Sequence, residues 1–500
     1  MRVLLICLSA LCAASAASAQ DRTLRVAIES RSPTYGNPYT QTLQSIFHPL
    51  YAVYDALTLL DANGEVRPAL SVSHERLDDL TWQFKLRDGV TYANGEVFDA
   101  AAMKHNLDYL LSAQGQTAYV ASLIPSVARV VAVDNLTLNI ITSTPDAILP
   151  RRMAAVVTVA PGQWDALGPS DYAFEPVGTG PYQIADWGES DSVLDYAPFN
   201  ESWRGAPVIQ DFDIVIQKEG AARSQALLSE QIDVAMNVGI DEIDYLESAG
   251  FNVVTNVSPV VGALAFNNVD QNSPFTDIRV RKAFNYAINR DAIAQYIFDG
   301  IVEPVGQGST AGVFGHNPDV PKYPYDPERA RALLEDAGYG DGITMNVLVT
   351  PGPPVMSLMY QQDAQDLSVI GVTLNIQFAQ GPRWVQMWFS GDWDDAGMIS
   401  AAWSNVTFMD TARGFETYSC VRPDPFFCEP SVVPDIEAAA QEFDVEKRRA
   451  ILQKLAMDFH ELAPTLFLFP TTNNLTYSPD VVPAEIIGIR SRAETMRFKD

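Results

Sequence analysis

Apolar positions along the chain recur at two spacings. The runs Leu24 to Ile28, Trp82 to Leu86, Thr137 to Ile141 and Phe212 to Ile216 are short, rich in β-branched and aromatic residues, and predict strands. Between and beyond them the spacing is helical. Met103, Leu107, Leu110 and Leu111 form a stripe that predicts a helix over Ala100 to Leu111, with Asp99 as its N-cap. Val280, Ala283, Phe284, Ala287 and Ile288 predict one long helix over Arg279 to Phe298. Asp326 to Ala337 opens with Asp-Pro, a start signal, and puts Ala330, Leu333 and Leu334 on one face. A further helix is expected over Val445 to Leu462, ended by Ala463-Pro464 ahead of the apolar strand Thr465 to Phe469. Strands interleaved with helices give an α/β class.

Turn chemistry divides these elements. Gly178-Thr179-Gly180-Pro181 reads as a sharp turn between domains, in which Gly takes a positive φ and Pro fixes its own. It lacks the third glycine and the Lys-Ser/Thr of a nucleotide loop. Arg87-Asp88-Gly89 reads as a hairpin turn flanked by strands. Asp277 and Arg279 are expected to cap and brace the helix that they open. The 500 residues suffice for two or three domains, without low-complexity linkers or a repeat of fixed period.

The first residues change the picture. Met1-Arg2, the apolar run Val3 to Ala14 and the small residues Ala17-Ser18-Ala19 make a secretory signal peptide with cleavage expected after Ala19. The apolar run is shorter than the ~20 residues that a membrane span needs. Ile6 and Leu11 precede Cys7 and Cys12, too bulky for lipoprotein processing, so a freely soluble mature protein is expected. Residues 20 onward then keep Cys420 and Cys428, which an oxidising compartment would join into a small disulfide loop. The net charge of −29 makes nucleic acid an unsuitable partner and favours a soluble monomer. The five histidines are scattered, and no metal-ligand set or cofactor motif is found.

Several segments, in order, resemble one family. They are Tyr54-Asp55-Ala56-Leu57, Arg67-Pro68-Ala69-Leu70, Phe84-Lys85-Leu86-Arg87-Asp88-Gly89-Val90 with Asn94-Gly95-Glu96, then Val177 to Tyr182 and Ile232 to Ala235. Asp277 to Ala283, Ala287 to Arg290, Tyr325-Asp326-Pro327 and Ala463-Pro464 continue the series. Together they resemble the peptide and nickel class of extracytoplasmic solute-binding proteins that serve ATP-binding-cassette importers. The resemblance implies a periplasmic-binding-protein-like fold: two lobes with a ligand cleft between them and an extra third domain. Domain I would comprise residues 20–48, 178–258 and 475–500, domain II residues 49–177, and domain III residues 259–474. It also implies a periplasmic protein of a Gram-negative bacterium that is not an enzyme. Such a protein captures a small solute by closure of the lobes and passes it to permeases coupled to ATPases.

Ligand contacts carried over from that resemblance fall in three places. Tyr35-Gly36-Asn37 would line the cleft, or form a plain surface turn. Tyr119 stands where relatives place an aromatic; core packing is its alternative. Trp403-Ser404-Asn405 aligns with a Trp-containing stretch at the pocket, on a strand expected from Ala396. Arg383 and Trp384 precede it; the arginine would grip a carboxylate or sit at the surface. Peptide binders carry an Asp three residues after that Trp, to hold the ammonium group, where this chain has Val406; Asp410 is out of register. The His that nickel binders carry further along is also absent. The ligand is therefore open among peptides or peptide-like compounds, opines, sugar derivatives and metal chelates. A secreted chaperone or signalling protein is the alternative of a different class. No Gly-x-Ser-x-Gly elbow, His-Glu-x-x-His or P-loop supports catalysis.

Overall fold

The computed structural model describes residues 22–32, 34–40, 48–188, 192–379, 381–487 and 490–499, without the side chains of 381 and 382. The N-terminal apolar segment and the cleavage expected after Ala19 lie outside the described residues. Among the described residues, no helix is long and apolar enough to cross a membrane.

Ten strands form one mixed sheet. Their order is Val372–Phe378, Ile343–Val349, Ala396–Ser404, Asn252–Phe266, Thr465–Tyr477, Val234–Met236, Leu24–Ile28, Phe212–Ile216, Val193–Pro198 and Tyr182–Asp186. A separate four-stranded antiparallel sheet joins Ser71–Asp78, Thr81–Leu86, Thr137–Thr142 and Val127–Asp134. The fold is α/β and two-lobed.

Core packing defines the lobes. Leu24, Val26 and Ile28 share one buried cluster with Tyr54, Phe84 and Ile140 of the small sheet region and with Leu475 and Phe498 near the C-terminus. The other lobe has a core on each face of its sheet. Val261, Ala263 and Ala265 point to the side of Trp403, Phe459 and Phe467, whereas Leu264 and Phe266 point to Phe284, Val347 and Leu466. That alternation follows from the period of two along a strand.

Two long strands connect the lobes. Asn252–Phe266 pairs with Thr465–Tyr477 at both ends, Asn252↔Tyr477 in one lobe and Ala265↔Thr465 in the other, with register shifts between Val257, Val261 and Ala263. Pro259 and Pro470 lie in this irregular stretch, where each lacks a ladder N–H.

Local signals produced the expected elements where they were complete. Asp99 Oδ1 accepts from Ala102 N, Asp326 Oδ1 from Arg329 N and Asp277 Oδ1 from Arg279 N. The helix Val445–Leu462 ends at Ala463 in a left-handed conformation (φ 48°) before Pro464.

Four expectations need correction. The helix expected over Arg279 to Phe298 is two, Ile278–Ala287 and Arg290–Tyr296. Asn289 caps the second through Ala292 N and donates its own N–H to Asp366 Oδ2 at 2.8 Å. The strand starting at Thr465 runs on to Tyr477, since its second half has partners in the first lobe. Asp88-Gly89 does turn, with Gly89 at φ 73°, but the preceding strand pairs with Ser71–Asp78 and Thr137–Thr142 rather than with the segment beyond Gly89. Gly178 and Gly180 have no positive φ; they are needed for close approach. A Cβ there would lie 2.0 Å from Val53 O and 2.3 Å from Ala52 O. That contact brings Thr179 Oγ1 to Asp55, whose carboxylate also accepts from Trp203 Nε1 and Arg204.

Candidate functional site

The strand registers locate a crevice. Val234–Met236 runs alongside Tyr477 to Leu475, so its carboxyl end points toward the irregular stretch, as do those of its parallel neighbours Leu24–Ile28 and, beyond, Phe212–Ile216. From the other lobe, Ala396–Ser404 ends opposite Val260 and points at the same stretch, together with its parallel neighbour Ile343–Val349 and, next in the sheet, Val372–Phe378. Crevices at the carboxyl ends of parallel strands are where open α/β sheets place ligands.

On the first lobe, buried Arg223 stitches the loops leaving those strands. Its guanidinium donates to Gln217 O, Lys218 O and Asn237 O, and Glu29 Oε1 lies 3.6 Å away. Burial lowers the Arg223 pKa, against the pull of Glu29. The loop after Ile28 carries the expected residues. Tyr35, at φ 50°, packs on Phe174 (4.5 Å) and Trp187 (5.0 Å) beneath the Arg31 guanidinium (3.8 Å). Gly36 N donates to Ala173 O, and a Cβ there would meet Pro176 at 2.6 Å. Asn37 Nδ2 donates to Pro169 O while its Oδ1 accepts from Tyr39 N. Gly36 and Asn37 thus tie the loop to residues 169–176.

Tyr119 adjoins this loop, because Val120 N donates to Tyr39 O. Its hydroxyl also accepts from Arg413 Nη2 of the second lobe, at 3.4 Å. On that lobe Trp403 is 1 % exposed and lies flat on Tyr418 (4.0 Å, 5°), with Nε1 donating to Thr465 Oγ1. A Cβ on Gly308 would sit 2.1 Å from the indole. The Trp403 ring therefore belongs to the core of its lobe, and its removal acts on folding as well as on any ligand. Ser404 ends the strand half-buried. Asn405 is buried; its Nδ2 donates to Gly308 O and its Oδ1 has no partner among the described residues.

An aromatic path leads from Trp403 to the other expected pair. Trp384 donates from Nε1 to Ser400 O and stacks on Trp388 (5.3 Å), which meets Tyr418 at 6.2 Å. Arg383 is exposed and pairs with Asp394 at 3.3 Å. Of the expected residues, Tyr119 meets the second lobe through Arg413, the Trp403 ring is enclosed within its own lobe, and Arg383 is exposed beside Asp394.

The loop after Asn405 packs against the first lobe. Phe408 packs among Leu123 and Ile148 of the first lobe. Asp410, fully buried, takes both Arg448 nitrogens at 2.6 and 2.9 Å, with Arg151 Nε at 4.0 Å. Burial pushes its carboxyl up, but the Arg448 charge and hydrogen bonds outweigh burial and hold it below the usual range. Arg152 bridges Asp146 at 2.9 Å and Glu416 at 3.4 Å. Lys447-Arg448-Arg449 belongs to the segments that resemble the family, whereas Arg413 and Arg223 went unremarked: the Tyr119 partner of Arg413 is 294 residues away, and no local pattern marks Arg223.

The disulfide Cys420–Cys428 is formed. Among the described residues no three of His, Cys, Asp and Glu group to hold a metal ion.

Comparison with known proteins then gives three findings. Residues 65–422 match the family model described as bacterial extracellular solute-binding proteins, family 5 Middle. The glutathione-binding protein of Pectobacterium atrosepticum is 28% identical over 327 residues, which are 65% of this chain and 63% of that relative's length. Among solved structures, the dipeptide binding protein of a Pseudoalteromonas species in complex with Met-Leu superposes with a TM-score of 0.84 at 20% identity, covering 96% of this chain and 100% of that one. An agropinic-acid complex of a binding protein from A. tumefaciens gives 0.82 at 20%, covering 96% and 99%.

Proposed function

The chain belongs to the bacterial extracellular solute-binding proteins of family 5, and from that premise we propose that it is the periplasmic capture subunit of an ATP-binding-cassette importer. It is exported, holds a small solute between its lobes and presents the closed form to membrane permeases. No catalytic step is assigned to it.

The observation that carries this reading is the convergence of two sets of strand carboxyl ends on one crevice spanned by two long strands. Residues 20–48, 49–177, 178–258 and 475–500 would move as one lobe and 259–474 as the other, bending where the register breaks. A ligand that touches both lobes shifts an open-closed equilibrium toward closure. Tyr35, Gly36, Asn37, Tyr119, Trp403, Ser404 and Asn405 are the proposed border, with Arg383 and Trp384 at the margin.

Peptides and peptide-like compounds lead the candidate solutes, in keeping with glutathione and Met-Leu among the relatives. An opine such as agropinic acid is the second reading, favoured by Val406 in place of an acidic residue and by the commitment of Asp410 to Arg448. A thermal-shift screen of the mature protein against peptides, glutathione, opines, sugar derivatives and metal chelates tests both. A bound solute at 100 times its Kd stabilises by about 2.7 kcal/mol. A melt that moves with none of these classes would sink the capture reading.

A further inference from the structure

Four guanidinium groups crowd the junction where the second lobe meets the first. Arg448 is neutralised by Asp410, Arg151 lies 4.0 Å from the same carboxylate, and Arg152 is held by Asp146 and Glu416. Arg413 differs. It is half-buried, and it donates to the Tyr119 hydroxyl, but it has no carboxylate partner among the described residues. Glu416, one turn along the same helix Ala412–Thr417, is turned to Arg152 instead.

A second guanidinium on this stretch also lacks a direct ion pair among the described residues. Arg422 donates to Trp388 O and lies over the Trp388 and Phe426 rings at 5.0 and 4.8 Å, without a carboxylate partner among the described residues. Burial and the like charge of Arg413 lower its pKa, against the pull of Tyr418 and of the Asp424 carboxylate. Between the two, the Tyr418 hydroxyl is fully buried with no hydrogen-bond partner among the described residues. In a chain of net charge −29, carboxylates are the abundant counter-ion. Leaving positive charge uncompensated beside a crevice is costly unless a ligand supplies the anion.

The converse holds for a cationic ligand group. Asp410 and Glu416, which flank Arg413 along the chain, are engaged by Arg448 and Arg152, so neither is free to hold an ammonium. The Tyr119 oxygen accepts from Arg413, which leaves its own O–H to donate. Arg413 and Tyr119, one from each lobe, therefore present donors side by side.

Resting on the capture reading, we infer that the crevice selects an acidic solute, and that Arg413 with Tyr119 receives its carboxylate group. A guanidinium suits that role through paired, charge-assisted hydrogen bonds. Because the two residues belong to opposite lobes, an anion held by both also favours the closed form.

The test is isothermal titration of the mature protein, Arg413→Gln and Arg413→Lys with matched probes: Met-Leu and its amide, glutathione and its diester. At least one free acid should bind the parent roughly tenfold or more tightly than its neutral counterpart. That preference should vanish in Arg413→Gln, return in part in Arg413→Lys, and weaken with added salt in the parent. Melting temperatures of the ligand-free variants separate binding from folding. Equal binding of acid and neutral forms by the parent, or an unchanged acid affinity in Arg413→Gln, would overturn the assignment and leave capture standing. If neither form of either pair binds, the carboxylate assignment falls, and capture stands or falls with the wider solute screen.

Discussion

Asp363 stands among Met359, Tyr360 and Leu367 in the core of the second lobe, on the helix Pro354–Ser368. Neither carboxylate oxygen finds a hydrogen-bond partner among the described residues. Burial pushes its pKa from 3.8 up to about 8, with Asp366 adding to the rise and Arg290 opposing it. The group is thus protonated in the native state at neutral pH and ionised in the unfolded chain. A folded value above the unfolded one means that the native state binds more protons. Stability is then greatest below pH 4 and falls as pH rises toward about 8. Asp363→Asn removes that dependence. Chemical denaturation should show parent and variant alike near pH 4 and the variant more stable by a few kcal/mol, to order of magnitude, above pH 8. Parallel curves across that range would show that Asp363 does not titrate as described. No pattern around Asp363 announces its burial, since a lone acid on a helical stripe ordinarily faces water.

Elements were legible in proportion to how local their causes are. Asp99, Asp277 and Asp326 cap helices through backbone groups two or three residues away, and Ala463-Pro464 ends a helix within its own turn. The break at Ile288 was not legible, because Asn289 answers to Asp366, 77 residues on. The same limit hid the role of Asp410. In sequence it was an acid out of register with a peptide-binder site; in the fold it is the counter-ion that anchors the loop after Asn405 to the helix Val445–Leu462. Arg448→Met should strand Asp410 in the core and cost about 3–5 kcal/mol at neutral pH. Native Asp410 titrates below its ordinary value, so its contribution is present above pH 4 and is lost as pH falls through the lowered value. Urea midpoints of parent and variant should converge on acidification. A constant gap down to pH 2 would show that the pair contributes through packing alone.

At the scale of the whole molecule, the ordered motifs implied two lobes, whereas the contacts that hold them together had no counterpart in the sequence. Tyr119 and Arg413 are 294 residues apart, and Trp403 is enclosed by Gly308 and Tyr418 from different segments. The far edge of the interface is similar. Phe443, in the turn between two helices of the second lobe, meets Trp82 at 6.2 Å and lies under the Arg76 guanidinium at 4.0 Å, while Ala147 N donates to Ala440 O. These contacts lie away from the crevice border, so they bear on closure without touching a solute. An aromatic or cation–π contact of this kind contributes about 0.5–1.5 kcal/mol. If it is made only when the lobes meet, Phe443→Ala shifts the ligand-free equilibrium toward the open form by that amount. Small-angle scattering should record a larger radius of gyration for the free variant and the same radius for both proteins at saturation. Solute affinity should fall roughly two- to tenfold, since binding must then recover the lost closure energy. An unchanged radius with unchanged affinity would mean that the lobes already stand together without Phe443, and that closure is governed by the crevice and the two connecting strands.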